Sequence, residues 1–430
     1  MKIPLLPWVL ALFGLMSCAH QKKTIVSEIY IDSLISNYRI PAFILSNDSS
    51  MQFWKNRINP ALPGIVSESK YAGFLSMRYH LFGDIQDIRK ADSTIKKVDF
   101  NFNHNEAQAN LTLVGYSILQ HRFKDADAYL EKAKLIGLKK YDLLTTSFDV
   151  DFELGRYFDA GNELKELKSA SDYGYFFRLS KMDHLNGLLD SSINAMLHAA
   201  KQEESNPYLE QVALSNAADL YIHAGDLKEA ADLYKKCISL NGADFHSISG
   251  LGWITLIYDK NDSLAEKIFS FVHAKNKLPD ALYKLAQVAE ARKDEAGQKK
   301  WAKIFASCAI DSIYGNMYNK YLIELFTGIL QDPSRAEQIS KRELENRSTP
   351  QTNAWYAWSL FSNNKKKEAY DQFQKNVSGK PLEALELYWM GKLMQGLNKG
   401  YNAQAFYKAA NINKFDLTPA ILTDLEKQLE

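Results

Sequence analysis

From residue 70 onward the sequence repeats itself about every 34 residues, and a period of that length commits a chain to an array of small supersecondary units. Ala230 marks the small position of one unit. Its counterparts are Ala126, Ala160, Ser192, Ala265, Gln298, Ala336, Ala369 and Ala403, separated by steps of 32 to 38 residues. An earlier copy runs from Leu75 to Ile95, with Gly83-Asp84-Ile85 at its turn and Ile88 in the small position, so the array holds about ten units. Within the clearest unit, Leu214, Ala217 and Tyr221 form a stripe at helical spacing, and Gly225 ends that helix with freedom to adopt positive φ. Ala218 and Ala230 are small where two helices cross closely, and Tyr234 closes over the pair. Composition agrees: 21 glycines and 11 prolines in 430 residues are too few for a turn-rich β protein.

That set of residues, Leu214, Ala217, Ala218, Tyr221, Gly225, Leu227, Ala230 and Tyr234, resembles the tetratricopeptide repeat. The resemblance implies an all-α solenoid, a right-handed superhelix of antiparallel helix pairs. Its concave groove, lined by the first helix of each repeat, would hold an extended peptide or a helix of a partner protein. Some members clamp a carboxylate with lysine and asparagine. The matching inner positions here include Ser215 with Asp219, Thr145 with Asp149, and Ala354 with Trp358, which form no such clamp.

Ahead of the array, residues 1–17 are a leader: one cation at Lys2, then an uncharged stretch from Ile3 to Met16 that is too short to span a bilayer as a helix. Leu15-Met16-Ser17-Cys18 resembles the bacterial lipobox, which implies lipidation of the Cys18 sulfur and cleavage before it. Several acyl chains on one residue anchor a protein stably where a single chain does not. Ala19 is not the aspartate that retains such proteins at the inner membrane, so the resemblance implies the outer membrane, at its periplasmic face. Residues 18–26 then read as a tether, 27–69 as a helical cap over the first repeat, 70–416 as the repeats, and 417–430 as a carboxyl-terminal cap helix.

Charge excludes whole classes of partner. The chain carries 52 Lys and Arg against 51 Asp and Glu, and Lys2 is the single charged residue of the leader, so the body is neutral. Nucleic acid and anionic lipid both require clustered cations. No catalytic signature stands out: there is no phosphate-binding Gly-rich loop and no Gly-x-Ser-x-Gly elbow, and Gly250-Leu251-Gly252 falls at a helix start, where close packing accounts for it. The nine histidines are never closer than 14 residues, so no helical metal pair exists. No metal or cofactor is expected from the sequence. Cys237 and Cys308 stand about two repeats apart, beyond disulfide reach, and read as small core residues.

Recognition would therefore come from the groove. Toward the carboxyl end its inward positions become aromatic: Tyr321, Trp355, Trp358, Phe361, Tyr388 and Trp389. Packing between helices is the ordinary fate of such residues, and an exposed cluster is the composition of a binding hot spot or a sugar platform. Trp358 and Tyr388, on the groove-facing stripe, are the two expected to be exposed. The reading is a lipid-anchored, non-catalytic docking scaffold for an envelope protein. The alternative is a glycan-capturing lipoprotein that partners an outer-membrane transporter, although repeat steps of at most 38 residues leave no room for the long insertions such proteins use.

Overall fold

The computed structural model describes residues 24–61, 64–310, 313–398 and 403–430. The leader and Cys18 lie outside the described residues. Among the described residues all regular structure is helical, and no helix is long and apolar enough to cross a membrane.

Two helices, Glu28–Ser36 and Ala42–Lys55, precede ten successive antiparallel pairs. The pairs begin with Ile65–Phe82 and Ile85–Asn101, then Ala107–Leu119 and Phe123–Ile136, then Lys140–Leu154 and Tyr157–Leu167. Next come Tyr173–Leu185 with Leu189–Gln202, Pro207–Ala224 with Leu227–Leu240, and Phe245–Ile257 with Asp262–Lys275. The last four are Asp280–Ala291 with Glu295–Ala309, Asn319–Thr327 with Pro333–Asn346, Pro350–Ser362 with Lys366–Asn376, and Ala384–Gly396 with Ala403–Ala410. The chain is an α-solenoid.

The periodic residues explain the pairing. Ile88, Ala126, Ala160, Ser192, Ala230, Ala265, Gln298, Ala336 and Ala369 are each the fourth residue of their pair's second helix. All but Gln298 have no exposed surface, because there the two helices approach most closely. Gln298 keeps the register but turns its amide to the Glu290 carboxylate at 2.9 Å, and buried Ala302 and Phe305 fill that pair's core one turn later. Gly225 ends its helix at φ 83°, in the left-handed region that favours glycine. Gly250 has another reason: a Cβ there would lie 2.3 Å from the Tyr234 ring, so the closing aromatic of one pair rests on the bare backbone of the next.

The ends of the array differ from expectation. The helix Glu28–Ser36 packs against Asp262–Lys275 of the sixth pair. Ile25 and Val26 donate their backbone N–H groups to the Asp259 carboxylate, Lys267 pairs with Asp32 at 2.6 Å, and Ile31 is buried in the same apolar cluster as Leu264 and Ile268. The second helix, Ala42–Lys55, does pack beside the first pair, and Asn47 donates to the Phe74 carbonyl. At the other end, the turn Asn411–Asp416, read from sequence as the end of the repeats, enters the concave side. There the Trp253 indole donates to the Phe415 carbonyl at 2.8 Å, and Asn413 donates to the His223 carbonyl. Leu422 and Leu425 of the final helix Pro419–Leu429 are buried.

The superhelix also closes on itself. The Lys277 N–H donates to the Phe82 carbonyl at 2.7 Å, and Lys277 pairs with Asp84. Tyr71, Leu75 and Tyr79 of the first pair share an apolar core with Leu282, Tyr314 and Leu322. A second seam joins Phe123, whose N–H donates to Asn346, with the carboxamide of Asn346 donating back to the His121 carbonyl. Beside it Arg347 bridges Glu343 and Glu153. The long open groove expected from the repeat is therefore interrupted, because distant pairs meet across these two seams.

Candidate functional site

The concave face holds a cavity of about 750 Å³. Its wall is built by first helices, each contributing side chains at helical spacing: Ser215 and Asp219 from Pro207–Ala224, then His246, Gly250 and Trp253 from Phe245–Ile257. Lys284 and Gln287 come from Asp280–Ala291, and Lys320, Tyr321 and Glu324 from Asn319–Thr327. His80, His184, His223, Glu383 and Asp416 line it as well. Polar residues on a stripe that packing alone would make apolar are the mark of a lined cavity.

The charges in this wall are coupled. Asp219 accepts from the Tyr234 hydroxyl at 2.5 Å and from His246 Nε2 at 3.0 Å. Burial works against its charge, yet the His246 charge and the two hydrogen bonds hold its carboxyl below the usual carboxylate range. In return the Asp219 charge lifts His246 to about 9. Desolvation pushes Lys284 down to about 8, and its ammonium sits 3.6 Å from the centre of the Trp253 ring. Desolvation also raises Glu324 to about 7, while the Tyr283 hydroxyl donates to it at 2.7 Å. The cavity thus presents a cationic His246, a weakened ammonium and a half-neutral carboxyl near physiological pH.

The His246–Asp219 pair has a definite pH signature. Because the folded histidine lies above its ordinary value of 6.5, its stabilising contribution is complete below about pH 6.5 and is lost as the pH rises through about 9. NMR titration of the ring is expected to show a midpoint near 9 that falls toward 6.5 in Asp219→Asn. A wild-type midpoint at 6.5 would contradict the pairing.

The aromatic residues singled out in the sequence do not converge on this cavity. Tyr321 does line it, its ring tilted against that of Tyr283 at 4.5 Å between ring centres. Trp355 is buried and donates its indole N–H to Glu386 at 2.6 Å. Trp358, half-buried, stacks on buried Trp389 with the rings 5° from parallel, and its indole donates to Thr327. Phe361 packs against Trp358 and fills the space over Gly396. Tyr388 is buried, its hydroxyl donating to Asp424 at 2.6 Å. The expectation that Trp358 and Tyr388 are exposed is corrected: consecutive helices close over that stripe, and the aromatics glue the last pairs together. Cys237 is buried, but Cys308 is exposed, not the core residue expected.

Sequence spacing gave no metal-ligand set, whereas the fold brings three potential ligands together. His184, His223 and Glu383 each offer a ligand atom, all within 4.8 Å of one another. His223 Nδ1 is hydrogen-bonded to Asp416; burial works against its charge, but that carboxylate lifts it to about 8. Burial lowers His184. His184 and His223 fall at matching positions of the adjacent fourth and fifth pairs, and Glu383, from the tenth, joins them only in the fold. The cavity wall itself left a readable signal in the charged Asp219, Lys284, Lys320 and Glu324 on first-helix inner stripes.

No protein-family model matches this chain, and no curated protein does. It is a helical-repeat protein. Among solved structures it is similar to a tetratricopeptide repeat protein from Parabacteroides merdae, with 16% identity and a TM-score of 0.34 over 59% of this chain and 97% of that one. It is similar also to yeast Tom70, with 12% identity and a TM-score of 0.34 over 90% of this chain and 96% of that one.

Proposed function

We propose that the protein is a non-catalytic binding protein of the cell envelope, anchored to the outer membrane through lipid on Cys18, which docks a short segment of an envelope protein in its concave cavity. The observation that carries this reading is the cavity itself. At about 750 Å³ it falls within the size range of small-ligand pockets, and it is lined by both signs of charge. A folded partner does not fit such a volume; an extended segment carrying its own charges does. The alternative, glycan capture, needs aromatic faces free for stacking. Among the described residues, Trp358 and Trp389 cover each other, Trp253 is capped by Lys284, and Tyr321 leans on Tyr283.

Anchoring is supported by the resemblance of Leu15-Met16-Ser17-Cys18 to a lipobox and by the apolar side chains exposed on the amino-terminal helices, among them Ile29, Phe43, Leu45 and Phe53. A Cys18→Ala protein is expected to leave the membrane fraction; its retention there would contradict the anchor. For the cavity, short peptides carrying both charge signs are screened against the full chain by fluorescence polarisation. Binders are expected to weaken by about tenfold or more in Lys284→Ala and in Glu324→Gln, as when a desolvated charge loses its partner. Saturable oligosaccharide binding that quenches tryptophan fluorescence, with no peptide bound, would replace this reading by the glycan one.

A further inference from the structure

We propose that His184, His223 and Glu383 form a binding site for zinc(II) at the edge of the central cavity. The three come from separate repeats: His184 from the last turn of Tyr173–Leu185, His223 from the last turn of Pro207–Ala224, and Glu383 from the N-cap of Ala384–Gly396. Stacking of adjacent repeats brings the two histidines together and closure of the superhelix adds Glu383, with one ligand atom of each within 4.8 Å of the others. Two imidazole nitrogens and one carboxylate oxygen are a donor set that zinc takes with bonds of about 2.0–2.2 Å, leaving a fourth position open. Donor atoms around a tetrahedral ion of that size lie about 3.4 Å apart, so the set needs to contract by little more than about 1 Å.

Three further features favour an ion over a chance meeting of side chains. Asp416 holds His223 by Nδ1 and leaves Nε2 for the metal, the carboxylate–histidine arrangement that fixes the tautomer of metal-ligating imidazoles. Both histidines lie at helix carboxyl ends, where the macrodipole favours a cation. Glu383 makes no capping bond to its own helix and meets His184 Nε2 at 4.0 Å, beyond hydrogen-bond distance, so its oxygens are free to move to a shared ion. The neighbouring cation Lys320 is already engaged by buried Glu386 at 3.3 Å. An ion held here would turn its open position toward the cavity, where water or an oxygen of a bound ligand completes the shell. The proposal stands whatever the cavity's occupant is.

The test uses the full chain, made without a histidine tag and stripped with EDTA. Titration with zinc(II) by calorimetry is expected to show one equivalent bound at micromolar or tighter Kd, and cobalt(II) is expected to give the visible bands of a four- or five-coordinate ion. His184→Ala and Glu383→Gln are each expected to weaken zinc by at least about tenfold, and Asp416→Asn to weaken it by about tenfold through His223. Circular dichroism accompanies each variant, and Glu383→Gln, at a helix cap, carries the test if His184→Ala unfolds. Absence of stoichiometric zinc binding overturns the site. So does binding that is unchanged in well-folded Glu383→Gln.

Discussion

Replacing Arg347 with alanine is expected to destabilise the full chain by about 3–5 kcal/mol, the cost of stranding buried charge. Arg347 Nε donates to Glu343 at 2.9 Å, Nη1 donates to Glu153 at 3.1 Å, and the guanidinium lies 4.5 Å from the centre of the Phe123 ring. Its side chain is 17% exposed and that of Glu343 only 1%, so the pair cannot be rescued by water when the cation is lost. The effect is large because Arg347 belongs to the eighth and ninth pairs while Phe123 and Glu153 belong to the second and third. Removing it opens the seam that closes the superhelix. Burial pushes Glu153 up, but Lys181 and Arg347 together hold it below its ordinary 4.5. That contribution is therefore complete above pH 4.5 and is lost as the pH falls through the depressed folded value. Urea unfolding measures the loss. Hydrogen exchange at the Phe123 amide, which donates to Asn346, reports whether the seam has opened. A loss below about 1 kcal/mol, the scale of an exposed ion pair, would mean the seam is incidental.

Trp389→Ala is expected to cost about 3–5 kcal/mol, as for other large aromatics removed from a core. Trp389 is 2% exposed and lies face to face with Trp358, so truncation leaves a cavity between the ninth and tenth pairs that neighbouring helices can only partly fill. Tyr388→Phe removes one hydrogen bond to Asp424, which still has Lys392 at 3.1 Å, and is expected to cost about 1 kcal/mol. Neither change touches the central cavity, so peptide affinity is expected to stay within about twofold of wild type wherever the variant is folded. The opposite outcome, full stability with lost binding, would restore these aromatics to a recognition surface.

The contrast between these residues shows what a repeat sequence makes legible. Packing within a pair depends on residues fewer than 40 positions apart and recurs in every unit, so one small residue per period sufficed to locate the second helices. Even Gln298, the poorest match, proved to be in register. How the units curve depends on small rotations summed over many interfaces, and no single residue encodes that sum. The seams at Lys277–Phe82 and Phe123–Asn346 join residues about 200 positions apart, and nothing in their local sequence marks them. The aromatic stripe misled for the same reason. Trp358 falls on an inward-facing stripe, and whether inward means groove or interior depends on whether the next helix covers it. The cavity was legible in part, because Asp219, Lys284, Lys320 and Glu324 put charge where a stripe should be apolar. The histidine–glutamate cluster was invisible, since Glu383 reaches the two histidines of adjacent repeats only through closure.

Closure around a polar cavity is the claim on which the rest depends, and zero-length carbodiimide crosslinking tests it directly, because the reaction joins an amine to a carboxylate already in contact. Lys267 meets Asp32 at 2.6 Å and Lys277 meets Asp84 at 2.8 Å, pairs separated by 235 and 193 residues. In the monomer fraction, mass spectrometry is expected to find both crosslinks, and both are expected to vanish in Asp32→Asn and Asp84→Asn respectively. Crosslinks confined to neighbouring repeats, such as Lys365 to Glu337, would show an open solenoid and contradict the account.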